Sequence, residues 1–172
     1  MKKLLRILLT AVLATAMCAF VLVGCGGKGE GAALSGSVTI VMDNKSDPAK
    51  EVVASLEGFT DKNSPMDVIE KLTADGKLCY AGTNGVYGKF LTGIGVVEGE
   101  GENKKDVYIV NQNAAAGVYL YLYTSVESDQ AEYDGVTSVT YKEQTLVESM
   151  VSISRMKLED GAVYYVTTIT WG

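Results

Sequence analysis

Ser64-Pro65-Met66-Asp67-Val68-Ile69-Glu70-Lys71-Leu72-Thr73-Ala74-Asp75-Gly76 decides how the folded part of this chain is built. Serine is favoured just before the first helical turn, and proline fits the first helical position. Asp67 suits the positive end of the helix dipole. Met66, Ile69 and Leu72, with Val68, recur at helical spacing, while Asp67 and Lys71 stand four apart on the outer side. Gly76 is the expected stop. The spacing predicts one short helix over 65–75, and its apolar stripe belongs to a core.

Outward from the helix the pattern changes to period two. Val38, Ile40 and Met42 alternate with Ser37, Thr39 and Val41, which predicts a strand with one buried face. Asp43-Asn44-Lys45-Ser46-Asp47-Pro48 is turn chemistry, and 51–59 reads as a second strand. Beyond the helix, strands are expected at 77–81, 86–94, 106–111, 118–126, 136–141, 146–158 with a break, and 162–171. Glu159-Asp160-Gly161 reads as a hairpin turn joining the last two. Several strands and a single helix make an α+β fold with a mostly antiparallel or mixed sheet. A β-grasp-like arrangement accommodates a strand pair, then a helix, then strands.

The N-terminal end is of another kind. Lys2, Lys3 and Arg6 precede an apolar run from Ile7 to Val23 that only Thr10 and Thr15 interrupt. A basic start, an apolar middle and small residues at the break are the parts of an export signal. The run ends in Leu22-Val23-Gly24-Cys25, which resembles the lipobox of bacterial lipoproteins. That resemblance implies a signal peptide over 1–24, removed before Cys25, and a lipid on the Cys25 sulfur. An uncleaved helix is the alternative, although 17 residues sit at the lower edge of what spans a bilayer. Either way the residues from Lys28 onward face outside the cytoplasm. Residues 25–36 include five glycines after Cys25 and read as a flexible tether, leaving 37–172 as one extracytoplasmic domain.

Removing residues 1–24 leaves twelve basic against twenty-one acidic residues, a net charge of −9 in place of −6. Such a surface repels phosphate backbones and anionic headgroups, which argues against nucleic acid as a partner and against docking flat on lipid beyond the anchor itself. Cys18 leaves with the signal and Cys25 carries the lipid, so Cys79 has no disulfide partner and reads as a small buried hydrophobe. The chain holds no histidine, which removes the Ser-His-Asp and Cys-His arrangements and the usual zinc sites. No cofactor is expected, and the domain is expected to be a non-enzymatic monomer.

Three stretches invite a closer reading. Gly93-Ile94-Gly95-Val96-Val97-Glu98-Gly99 does not keep dinucleotide-loop spacing and reads as strand followed by loop. Glu98-Gly99-Glu100-Gly101-Glu102-Asn103 places three carboxylates on a glycine-rich loop, and calcium there stays open as an alternative to a solvated hairpin tip. Val118-Tyr119-Leu120-Tyr121-Leu122-Tyr123 alternates strictly. Period two puts Leu120 and Leu122 on the core side and Tyr119, Tyr121 and Tyr123 on the other. The three tyrosines are the candidate ligand-binding surface, able to stack on a sugar or a macrocycle or to take an apolar peptide. They can equally cover a sheet face or lie beneath a loop.

The helix stretch from Ser64 to Leu72, the Tyr87-Gly88-Lys89-Phe90-Leu91-Thr92-Gly93-Ile94 strand, the Tyr119 to Ser125 strand and the closing Leu158-Glu159-Asp160-Gly161-Ala162-Val163-Tyr164-Tyr165 stretch together resemble the transcobalamin C-terminal-like domain family. The resemblance covers residues 37–172 and implies a β-grasp-like fold. It also implies binding of a tetrapyrrole or another small ligand, since the transcobalamin domain helps to enclose a corrinoid. This chain lacks the helical domain that forms the other wall of that site, and it has no histidine to offer cobalt. Corrinoid here would need a partner protein or face-on packing alone. The expectation is a lipid-anchored surface domain that binds a small ligand or an envelope partner. A corrinoid-capturing accessory lipoprotein and a structural or adhesive module are the alternatives.

Overall fold

The protein is described by a computed structural model that covers residues 31–46 and 48–171. The stretch expected to be an export signal, Cys25 and the first part of the expected tether lie outside the described residues. Among the described residues the strands and the α-helix run in the order β1 (Ser37–Met42), β2 (Lys50–Ser55), α1 (Pro65–Ala74), β3 (Leu78–Gly85), β4 (Gly88–Glu98), β5 (Lys105–Asn111), β6 (Val118–Thr124), β7 (Ser138–Tyr141), β8 (Gln144–Glu148) and β9 (Val163–Thr170). The fold is α+β, with one mixed sheet of order β2-β1-β9-β6-β8-β7 and one antiparallel sheet of order β3-β4-β5.

The helix forms where its sequence predicts. The Asp67 carboxylate accepts from the Ser64 N–H at 2.7 Å and from the Ser64 hydroxyl at 2.6 Å, which fixes the first turn. Gly76 takes φ +67° just past the end, a left-handed backbone that glycine adopts at little cost. Met66, Val68, Ile69 and Leu72 are buried against one face of the six-stranded sheet. The three-stranded sheet covers the same face through Leu78, Leu91, Ile94 and Val110. Gly95 shows how closely those strands approach: a Cβ there would lie 2.0 Å from the Val107 carbonyl oxygen. It sits at a register shift between β4 and β5.

β1 differs from the expectation of one buried face. Val38, Ile40 and Met42 enter the main core, but Val41 is equally buried on the opposite side. The reason is topological. β1 and β9 run parallel at the centre of the sheet, so both of their faces are covered. The hairpin expected at Glu159-Asp160-Gly161 is also corrected. β8 and β9 are not neighbours, because β9 inserts between β1 and β6. The turn itself is real, with Gly161 at φ +74°. Its N–H donates to the Ser37 carbonyl, and the Ser37 N–H donates to the Asp160 carboxylate at 2.9 Å, tying it to the start of β1. The strand expected over 146–158 stops at Glu148; residues 149–158 form an irregular segment that buries Ile153, Met156 and Leu158 in the main core.

The chain enters the fold at Ala32 rather than Ser37. Asp61 donates its N–H to Ala32, Leu34 donates to Phe59, and Ala33 bridges Thr60. The described residues contain no helix long and apolar enough to cross a membrane.

Candidate functional site

The tyrosine strand β6 pairs with β9, placing Tyr119 opposite Ile169, Tyr121 opposite Thr167 and Tyr123 opposite Tyr165. These six residues share the sheet face away from the helix. Leu120 and Leu122 pack partly buried against the main core, so the expected division of faces holds. The expected row of solvent-facing tyrosines does not. Tyr119 is 39% exposed, Tyr121 is half-buried and Tyr123 is only 6% exposed.

A second core accounts for this gradient. Val41, Tyr123, Leu146, Val163 and Tyr165 cluster on the outer face with Tyr121, Val139 and Tyr141 against them. Tyr123 meets Tyr121 and Tyr165 edge-on, with ring centres 5.5 and 6.2 Å apart, and Tyr141 meets Tyr165 at 6.1 Å. The sheet curls far enough for its two edge strands to meet, because the Tyr141 hydroxyl and the Lys142 ammonium both reach Glu51 on β2. The Tyr165 hydroxyl donates to Asp43; burial first, and then that carboxylate, push the phenol well above its ordinary pKa.

Glu148 ties the cover down. Its carboxylate is buried and accepts from the Tyr133 hydroxyl, from the Thr137 N–H at 3.2 Å and from the Thr137 hydroxyl at 3.0 Å. Burial alone would push this carboxyl up. The hydroxyls of Tyr121 and Tyr133, together with Thr137, outweigh it and hold Glu148 below the ordinary carboxylate range. The Tyr121 phenol is correspondingly raised, by burial first and by Glu148 next. Residues 131–137 are thereby fastened over the Tyr121–Tyr123 end of the face. Sequence reasoning missed Glu148, since no local pattern marks a carboxylate whose partners come from two other segments, β6 and residues 131–137.

The other end of the same face is open. Trp171 continues the alternation Tyr165, Thr167, Ile169 and is 68% exposed. Its N–H donates to the carbonyl of Gly117, whose left-handed φ of +69° turns the chain into β6. Among the described residues, Tyr119 and Trp171 line a shallow concavity of about 360 Å³. Thr167 lies between this end and the covered core at 1% exposure, and its hydroxyl has no hydrogen-bond partner among the described residues. Of the three sequence candidates, only Tyr119 reaches the open surface. Trp171 joins it, and the single tryptophan of the chain at an outward alternation position was the signal available for finding it.

Two other places were open to chemistry. A groove of about 250 Å³ lies between β2 and α1, floored by Ala54, Phe59, Val68 and Leu72, with the Lys71–Asp75 ion pair at 3.5 Å on its rim. Ser55, Glu57 and Lys77 complete its lining. In the Glu98–Asn103 loop the side chains are exposed, and Glu98 reaches Lys105 at 4.0 Å. Among the described residues, no three acidic or thiol side chains gather where a cation could sit. Cys79 is buried, and burial, followed by nearby Asp106, raises its thiol pKa.

No family model and no curated protein matches this sequence. Among solved structures the chain is similar to a "putative metal binding protein" from Ruminococcus gnavus ATCC 29149, with a TM-score of 0.45 and 11% identity over 80% of this chain and 99% of that one. That likeness is too remote to carry either a fold or a ligand across.

Proposed function

We propose that this protein is a lipid-anchored, non-enzymatic domain outside the cytoplasm that binds a small ligand with a flat apolar face. The carrying observation is the pairing of exposed Tyr119 and Trp171 over a concavity at one end of the sheet. Strand direction gives that end its meaning. β1 starts beside the chain entry at Ala32–Leu34, β9 runs parallel to it, and Trp171 follows the far end of β9. Eight residues of strand at roughly 3.3 Å each put the aromatic pair about 25 Å beyond the entry. An aromatic pair held on a rigid sheet offers stacking area at small entropic cost. The order β2-β1-β9, with the helix following the first hairpin, also supports a β-grasp-like reading.

Trp171 is the only tryptophan in the chain, so its emission reports on the site directly. Titrating envelope glycan fragments, cobalamin and short apolar peptides should identify one class that shifts this emission. Tyr119→Ala should weaken that class at least tenfold, as expected for a central aromatic contact. Binding that survives both Tyr119→Ala and Trp171→Ala would overturn the site. The anchor is tested separately: Cys25→Ser should abolish palmitate labelling and leave the signal uncleaved.

A further inference from the structure

We infer that the edge of β2, with the groove between β2 and α1 beside it, takes an extended peptide as an added strand, one with alternating apolar residues and an acidic residue at one end. This surface shares no residue with the aromatic pair Tyr119 and Trp171. Sheet order puts β2 at an edge, paired with β1 alone. The Leu56 N–H donates to the Gly36 carbonyl at 3.0 Å, and the register carries that bonded pairing on to Ala54 with Val38 and Val52 with Ile40. The main-chain groups of Val53 and Ser55 alternate with these and point off the sheet. Among the described residues they have no hydrogen-bond partner. Natural edges are usually guarded, and at Glu51 this one is, because the Tyr141 hydroxyl and the Lys142 ammonium hold its carboxylate. The second half, Val53-Ala54-Ser55, has no charge, no proline and no bulge.

Both faces of that half are unfinished. On the outer face Val53 is 64% exposed. On the core face Ala54 borders the groove, whose floor continues through Phe59, Val68 and Leu72. An added strand answers both at once, because its side chains alternate: one set lies against Val53 and the other drops between β2 and α1. A small molecule in the groove would leave Val53 and the outward N–H and C=O groups as they are. Charge then selects among peptides. Lys71 and Asp75 neutralise each other at 3.5 Å. Lys77 lines the groove with Ser55 and Glu57, and the Lys104 ammonium stands 3.2 Å from where a Cβ on Gly76 would lie. Neither lysine nor Glu57 is in an ion pair among the described residues, so two positive charges face one negative there. In a chain of net charge −6 this is a local excess of positive charge, and it favours a carboxylate at that end of the peptide.

The test titrates the isotope-labelled full chain, in detergent, with a capped hexapeptide that alternates valine and threonine and closes on two aspartates. Hydrogen exchange at the Val53 and Ser55 amides should slow by roughly tenfold or more as the peptide saturates. The Val52 and Ala54 amides, already bonded to β1, should not change. N-methylation of one alternate set of peptide amides should abolish the effect, and N-methylation of the other set should preserve it. Lys77→Glu, at an exposed position, should weaken the aspartate peptide by roughly tenfold and favour a counterpart that closes on lysine. Val53 and Ser55 amides that exchange as fast with the peptide as without it would overturn the added strand. Equal binding of the aspartate and lysine peptides would overturn the acidic partner. Protection of both amides before any peptide is added, in a chain that sediments as a dimer, would give the edge to a second copy and overturn the peptide as its occupant.

Discussion

Truncating Tyr123 tests the second core most directly. Its ring is 6% exposed, meets Tyr121 and Tyr165 edge-on, and holds the Thr137 hydroxyl at 3.1 Å. Removing a buried aromatic side chain typically costs about 3–5 kcal/mol through lost transfer energy and the cavity left behind. Tyr123→Phe removes only one neutral hydrogen bond and should cost about 1 kcal/mol. Tyr119→Ala, at 39% exposure, should cost roughly 0.5–1 kcal/mol. Leu120→Ala, on a side chain partly buried against the main core, should fall between them at about 2 kcal/mol. With a urea slope of about 2 kcal/mol per molar, the Tyr123→Ala midpoint should drop by about 2 M. Equilibrium unfolding of the mature chain, followed by far-UV circular dichroism, reads all four variants. Equal costs for Tyr123→Ala and Tyr119→Ala would refute the second core, because they would mean that both rings are exposed alike.

Glu148 makes the domain acid-sensitive in a defined direction. Its folded pKa is depressed, so its contribution is present above the ordinary carboxyl range near pH 4.5 and is lost as pH falls through the lower folded value. Glu148→Gln should therefore flatten the fall in unfolding free energy below about pH 4.5, and an unchanged acid profile would exclude Glu148 as its source. Gly95→Ala should destabilise by about 3 kcal/mol or more, since its Cβ meets backbone rather than a side chain that can swing away. A thermal midpoint equal to that of the unsubstituted protein would contradict that close approach. Native Cys79 should react with an aromatic disulfide reagent only after denaturant is added, because the thiol is 3% exposed and its pKa is raised. Rapid labelling of the native protein would show that the strand pair opens readily.

The helix was legible from Ser64, Pro65, Asp67 and Gly76, because caps and apolar spacing act within a few residues of one another. The face assignment of β6 was legible for the same reason: alternation is a property of the strand's own backbone. What those faces meet was not. Whether Tyr123 is wet or buried depends on β7, β8 and residues 131–137 curling over it, and on Glu51 from the opposite edge holding Tyr141 and Lys142. The turn at Gly161 was visible locally, yet a turn does not choose the strand that follows it. Val163, Tyr164, Tyr165 and Val166 are buried on both faces, and only a central position between β1 and β6 covers both. By itself the sequence determined the capped helix after Ser64 and the alternation of strands such as β6. Tertiary structure alone decided that Tyr119 keeps Trp171 for company while Tyr123 belongs to a core, because burial is settled between segments far apart in the chain.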